Sequence, residues 1–188
     1  MLRNHGSNGE RQTSNSSTLA EMHSIHCLHG CPLGVPDSND LIFRNAYTMS
    51  TNDQTKFADW VAYVVVKSFT VSAGATNRNW RADPWLDPDE TLEPNDYKDA
   101  HAELETDMGH QAPLAAFRST TYWAETNFLS NVTPQKSNLN QGPWVKLENV
   151  VRDIALSGAT VYVLTGPLFE RSVAELPNAD ESHIVPSG

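Results

Sequence analysis

A chain of 188 residues with 39% hydrophobic residues and a mean hydropathy of −0.46 is long enough for one domain with a sizeable core. It reads as a soluble globular protein, since no apolar run approaches the ~18 residues of a membrane span. Its 23 acidic residues against 13 basic ones give a net charge of −10, which argues against a protein that coats DNA through a basic surface. An enzyme that must release a polyanionic product is a different case, because it needs a few local cations and no basic coat.

In chain order, the first 22 residues are rich in Ser, Asn, Gly and charge. They lack the apolar centre of a signal peptide and read as a disordered tail ahead of one domain over 23–188. HSIHCLHGC (23–31) carries both cysteines of the chain. Cys27 and Cys31 read as free thiols, as a short-loop disulfide, or, with His23, His26 and His29, as a zinc site. The zinc reading is the weakest, since the spacing matches no familiar zinc knuckle and no second Cys/His cluster follows.

LIFRNAYTMS (41–50) alternates and predicts a strand, and FADWVAYVVVKSFTV (57–71) predicts a long strand pairing with it across the TNDQT turn. Residues 72–99 form a long irregular segment in which Trp80 and Trp85 argue for packing. AHAELE (100–105) is a short helical turn or strand. A helix is expected around 119–128, then a turn at SNVTPQ. Apolar residues at 144, 147, 150, 151 and 154 predict a helix of about 14 residues, with Pro143 near its start and Gly158 as its stop. ATVYVLTGPLF (159–169) reads as a buried strand and 170–188 as a polar loop. Strands and helices without βαβ alternation make the class α+β.

Four groups of residues stand out: Asp107-Met108-Gly109-His110; the amides Asn127, Asn131, Asn138 and Asn140; Glu148 and Arg152, four apart and so on one helix face; and Arg78. Each has a bland reading. A lone histidine is usually structural, Asn-rich stretches are usually turns, and a Glu–Arg pair at this spacing is usually a surface ion pair. Together they fit phosphodiester hydrolysis. Neutral His110 can take a proton from water near pH 7. An Asn oxygen suits Mg²⁺, a hard ion. A glutamate one to two turns on can hold a water of that ion. Arginines supply bidentate phosphate contacts.

DMGHQAPLAAF followed by NFLSNVTPQKSNLNQGPWVKLE resembles the DNA/RNA non-specific endonucleases, the ββα-metal or His-Me finger family. RNAYTMSTNDQTKFADWVAY, TNRNW and TGPLFER extend the resemblance collinearly from about Cys27 to Pro186. It implies a central antiparallel sheet flanked by helices and a Mg²⁺-dependent, sugar-non-specific endonuclease acting on DNA and RNA, with Mn²⁺ as a substitute ion. His110 would be the general base and Asn140 the direct protein ligand of the metal. Glu148 would reach the metal through water, and Arg78 and Arg152 would contact the scissile phosphate. Asn131 would help hold His110 or the site, with Asn127 a weaker candidate of the same kind. Asp107 would support the motif, and Cys27 and Cys31 would form the short-loop disulfide of secreted relatives. A secreted protein with no membrane partner follows.

Two departures qualify the resemblance. Met108 stands where most of the family has arginine, and a thioether can neither donate a hydrogen bond nor carry charge. This opens a second reading, a weakened relative that binds nucleic acid or a partner without efficient cleavage. The sequence also stops after HIVPSG, where the family has further C-terminal elements. A bare sheet edge, with lower stability or a homodimer, is the expectation.

Overall fold

The computed structural model describes residues 24–71 and 77–188. The expected tail over 1–22, and His23 with it, lie outside the described residues. Strands β1 (Leu41–Phe43), β2 (Thr48–Thr51) and β3 (Ala58–Val65) form an antiparallel sheet with β6 (Val161–Thr165), in the order β1-β2-β3-β6. The strand expected over 41–50 is therefore two strands. The chain turns between them, with the Arg44 amide donating to the Tyr47 carbonyl at 2.8 Å. Arg44 explains the break. Its guanidinium is buried, ion-paired with Asp83, and lies 4.0 Å from the Trp85 ring centre and 4.2 Å from that of Phe128. Trp85 thereby packs the long irregular segment onto the sheet.

The long strand over 57–71 also stops early. After β3 the chain closes a helical turn, α1 (Lys67–Thr70), so that Phe69 meets Phe117 and Tyr122, ring centres 6.2 and 6.1 Å away. β6 ends at Thr165, short of the expected 169, because Gly166 passes over β3. A Cβ there would sit 2.3 Å from the Asp59 carbonyl oxygen.

A second sheet has two strands, β4 (Thr106–His110) and β5 (Val132–Lys136), antiparallel from Thr106↔Lys136 to His110↔Val132. The expected turn at SNVTPQ is mostly β5. Pro134 disguised it, since proline marks turns in a sequence but is tolerated in a strand that need not donate on both sides. Short helices α2 (Ala100–Leu104) and α3 (Leu114–Phe117) flank β4. The helix expected around 119–128 is replaced by 3₁₀ turns at Trp123–Asn127 and Leu129–Asn131. The Thr120 and Thr126 hydroxyls each donate back to a carbonyl three residues earlier, at 2.7 Å. Such bonds close short turns in place of a longer helix.

After β5 come α4 (Ser137–Leu139), a π-helical turn over Asn140–Trp144 broken at Gly142, and α5 (Val145–Leu156), with Gly158 at φ +106° after its end. β4, β5 and α5 together form a ββα unit. α5 turns Val151 and Ala155 to the sheet, whereas Leu147, Val150 and Ile154 are about half exposed, so the expected apolar face is split. β6 is no buried strand either: it leaves Tyr162 and Leu164 exposed, and among the described residues its outer edge pairs with no strand.

One core lies between the four-stranded sheet and α1, α3 and α5, around Tyr47, Met49, Val61, Tyr63 and Phe117. A second joins Phe57, Leu92, Tyr97, Leu129 and Val132 to Leu176 and Val185. The expected polar tail is thus anchored by apolar side chains, and His183 fixes its shape by accepting from the Leu176 amide at 3.0 Å. Cys27 and Cys31 are disulfide-bonded, with Cα atoms 5.1 Å apart, and pack on Trp60 and Ala62. This leaves no thiolate for zinc. His26 is also engaged: its Nε2 faces the Arg44 carbonyl at 3.2 Å and its Nδ1 accepts from the Val64 amide at 3.3 Å.

Candidate active site

The ββα unit forms one wall of a cavity of about 660 Å³ whose lining includes Arg78, Asp107, Met108, His110, Asn140 and Glu148. Residues 78 to 148 in sequence therefore converge on one space. β4 carries three of them, α5 contributes Glu148, and the π-helical turn between α4 and α5 places Asn140.

His110 ends β4 and is 8% exposed. Met108 lies two residues back and so on the same strand face. Gly109, between them, is required by packing: a Cβ there would meet the Gln135 side chain at 2.6 Å. The imidazole lies against the Trp80 ring, centres 4.8 Å apart. Its backbone carbonyl accepts from the Trp144 indole N–H at 3.2 Å, which ties the end of β4 to the start of α5. Asn127, fully buried, donates from Nδ2 to the Asn77 carbonyl at 3.2 Å and turns Oδ1 to His110 Nε2 at 3.5 Å. An amide oxygen can only accept, so this contact assigns the proton to Nε2 and leaves the lone pair on Nδ1. Burial, reinforced by the Arg78 charge and opposed by Asn127, lowers the His110 pKa to about 4. The ring is therefore neutral at neutral pH, with a lone pair open to a proton.

At the other end of β4, Asp107 is a hub. Its Oδ1 accepts from Ser137 Oγ at 2.8 Å and faces His101 Nδ1 at 3.0 Å, and its Oδ2 accepts from Gln141 Nε2 at 2.8 Å and Asn140 Nδ2 at 3.0 Å. Burial raises its pKa, but these four hydrogen bonds outweigh burial and hold it at about 2. The carboxylate fixes the orientation of Asn140. Ionised, it can only accept, so Nδ2 must face it, and Oδ1 is the amide atom left for a cation. A neutral oxygen donor beside a glutamate suits a hard divalent ion that retains waters, so the residues present fit Mg²⁺. Burial raises the Glu148 pKa against the opposing charges of Arg152 and Arg78.

Of the side chains singled out in the sequence, Asn127, Asn131, Asn138 and Arg152 do not line the cavity. Asn127 acts from behind His110. Asn131 never meets the ring; its Oδ1 accepts from the Ala112 amide and its Nδ2 donates to the Ala112 carbonyl, both at 2.9 Å, and also to the Thr126 carbonyl at 3.0 Å. It holds the turn that follows His110, and of the two amides it is Asn127 that contacts the imidazole. Arg152 lies one turn beyond Glu148, where it donates to Asn149 and leaves a buried Nη1 without a hydrogen-bond partner. Conversely, Trp80, His101, Gln141 and Trp144 belong to the site and were not singled out for it. Gln141 adjoins Asn140 in sequence and was the most accessible of them to sequence reasoning.

A family model for the DNA/RNA non-specific endonucleases matches residues 29–188. The chain belongs to that family. It is 48% identical over 164 residues to a nuclease of Serratia marcescens, covering 86% of this chain and 60% of that protein. It is 32% identical over 138 residues to human mitochondrial endonuclease G, covering 72% and 45%. The chain thus spans about half the length of these relatives. Among solved structures, the complex of EndoG with EndoGI matches with a TM-score of 0.65 at 24% identity, covering 78% of this chain and 64% of that one, a likeness of fold.

Proposed function

We propose that this chain is a Mg²⁺-dependent endonuclease that hydrolyses phosphodiester bonds in DNA and RNA without selecting the sugar, Mn²⁺ being able to replace Mg²⁺. The observation that carries the reading is that two residues line one cavity: buried His110, whose Nε2 faces Asn127 Oδ1, and Asn140, whose Nδ2 is held by Asp107 so that Oδ1 is the amide atom left for a cation. His110 takes a proton from water as the water oxygen bonds to phosphorus and the bond from phosphorus to the leaving oxygen breaks. Asn127 keeps the ring in the tautomer that can accept. Asn140 would hold the ion, with Glu148 placed to orient one of its waters; when bound, Mg²⁺ would stabilise the charge on the leaving oxygen. Arg78, and Arg152 after a side-chain movement, meet charge on the non-bridging oxygens. Asn131 and Asp107 position these groups.

The disulfide supports an oxidising, extracellular compartment. No helix among the described residues is long and apolar enough to cross a membrane, and no membrane partner is invoked. A homodimer belongs to the same proposal, since among the described residues β6 presents an unpaired edge beside the exposed Leu147, Val150 and Ile154. Light scattering that gives a monomer at micromolar concentration would remove it.

Plasmid and RNA cleavage with Mg²⁺, with EDTA, and with His110→Ala tests the catalytic reading. Both treatments are expected to abolish cleavage, with a loss of ~10²–10⁴ for removal of a general base. Activity that survives either one refutes the assignment. The second reading, a weakened relative that binds nucleic acid or a partner without efficient cleavage, is favoured by one observation: Met108 puts a thioether in the cavity wall.

A further inference from the structure

Beside the catalytic cavity, and sharing His101 with it, lies a second hollow of about 570 Å³ lined by His101, Glu105, Lys136, Ser137 and Asn138. It opens where β4 begins and β5 ends, at the Thr106↔Lys136 pair. His110 closes the opposite end of β4. Four residues separate the two ends, roughly 13 Å at ~3.4 Å per residue.

A chain of net charge −10 must hold a polyanion through a few placed cations, and Lys136 is one of them. Its side chain is exposed, and its ammonium donates one hydrogen to the Leu104 carbonyl at 2.6 Å. That bond fixes where the charge sits and leaves two N–H groups for a ligand. Asn138 is exposed as well, and no hydrogen bond among the described residues uses its amide. Ser137 is already committed to Glu105, Asp107 and His101, so the free donors in the hollow belong to Lys136 and Asn138. Glu105 is the one acidic side chain in the lining.

We propose that this hollow seats a backbone phosphate of the bound nucleic-acid strand, away from the scissile bond, with Lys136 supplying the charge and Asn138 a hydrogen bond. The inference rests on the nuclease reading of the neighbouring cavity and adds a direction: the strand runs along β4 from His110 toward Thr106. Glu105 opposes this binding and keeps it weak enough for product release.

The test pairs binding with cleavage, using the full chain. Binding of a fluorescein-labelled 12-nucleotide single strand is measured in EDTA over a KCl series. Cleavage of the same strand, and of bis(p-nitrophenyl) phosphate, which has one phosphodiester and no flanking phosphate, is measured with Mg²⁺. Lys136→Gln is expected to weaken strand binding about fivefold and to lower the salt slope by about 0.7. Lys136→Arg should restore both. Asn138→Ala should weaken binding about twofold, and Glu105→Gln should tighten it by a similar factor, a gain that misfolding cannot produce. Turnover of bis(p-nitrophenyl) phosphate should stay unchanged in all four. Unchanged affinity and slope in Lys136→Gln overturns the proposal, as does an equal loss on both substrates, which would mark a structural role. If the chain binds with a Lys136-dependent slope but cleaves neither substrate, the subsite stands and the catalytic reading falls. If it cleaves both and Lys136→Gln changes nothing, the reverse holds.

Discussion

At one end of β4 the His110 imidazole is stripped of solvent by Trp80 and the surrounding core until its pKa falls to about 4. Three residues away Asp107 sits among four hydrogen-bonding neighbours and stays ionised, its pKa held at about 2. Five residues of one strand thus hold two titratable groups in their deprotonated forms by opposite means. Burial excludes the proton from a base, whereas donors stabilise an anion against burial. The two means match the roles proposed for the two groups. A base must be neutral to accept a proton, and an orienting carboxylate must be charged to dictate which way an amide points.

Met108 lies between these ends, and replacing it gives the largest effect expected to separate them. Met108→Arg places a guanidinium on the same strand face as His110, its stem covering the apolar surface that the thioether covers now. A donor to the transition state is typically worth ~10²–10³ in rate, so DNA cleavage is expected to rise by up to about a hundredfold with little change in the Mg²⁺ requirement. No gain would show that Met108 is no defect and would remove the ground for the weakened reading.

Asp107→Ala tests the other end. Without the carboxylate nothing compels Asn140 to face its oxygen toward the cavity. Loss of such an orienting partner costs ~10–100-fold in metal affinity. The Mg²⁺ concentration for half-maximal cleavage should rise by that factor, with the rate at saturating Mg²⁺ changed less. An unchanged Mg²⁺ dependence would mean that the Asp107 network serves the fold alone.

Much of this contrast was legible in the sequence, and unevenly so. Asp107, His110, Asn140 and Glu148 sit in short local words whose residue types suit oxygen ligands and a base, and the structure brings them to one cavity. The α+β class was legible for a similar reason, because β3 is rich in Val, Trp and Tyr and α5 carries apolar residues at helical spacing. What was hidden depends on contacts distant in sequence. Trp80 meets His110 across 30 positions and Trp144 meets it across 34, and no spacing rule connects them. Asn127 and Asn131 look alike in sequence, and only the 3₁₀ turns decide that one faces the ring and the other the Ala112 backbone. β5 was masked by Pro134, and the outward tilt of Leu147, Val150 and Ile154 follows from how α5 lies on the sheet, which an apolar pattern does not encode.

The smallest expected effect is on stability, and its sign follows from the direction of each shift. The His110 pKa falls from 6.5 to about 4 on folding. Between those values the unfolded chain binds a proton that the folded one refuses. Stability is therefore fully present above pH 6.5 and is lost as pH falls toward 4, by about 3 kcal/mol at ~1.36 kcal/mol per unit. Asp107 is also depressed, from 3.8 to about 2, so its contribution is present above 3.8 and is lost in a separate window below it. Urea unfolding in EDTA at pH 7.5, 5.5 and 4.5 should show the first loss in the wild type. His110→Gln, which has no proton to refuse, should lack that part of the slope while keeping whatever the other groups contribute. Parallel slopes in the two proteins would mean that the imidazole is hydrated and protonated normally in the folded chain. The acid limb of kcat/KM for DNA cleavage would then move up toward 6.5. If the buried ring is as the structure has it, that limb lies well below 6.5, and a cation held by Asn140 pushes it lower still.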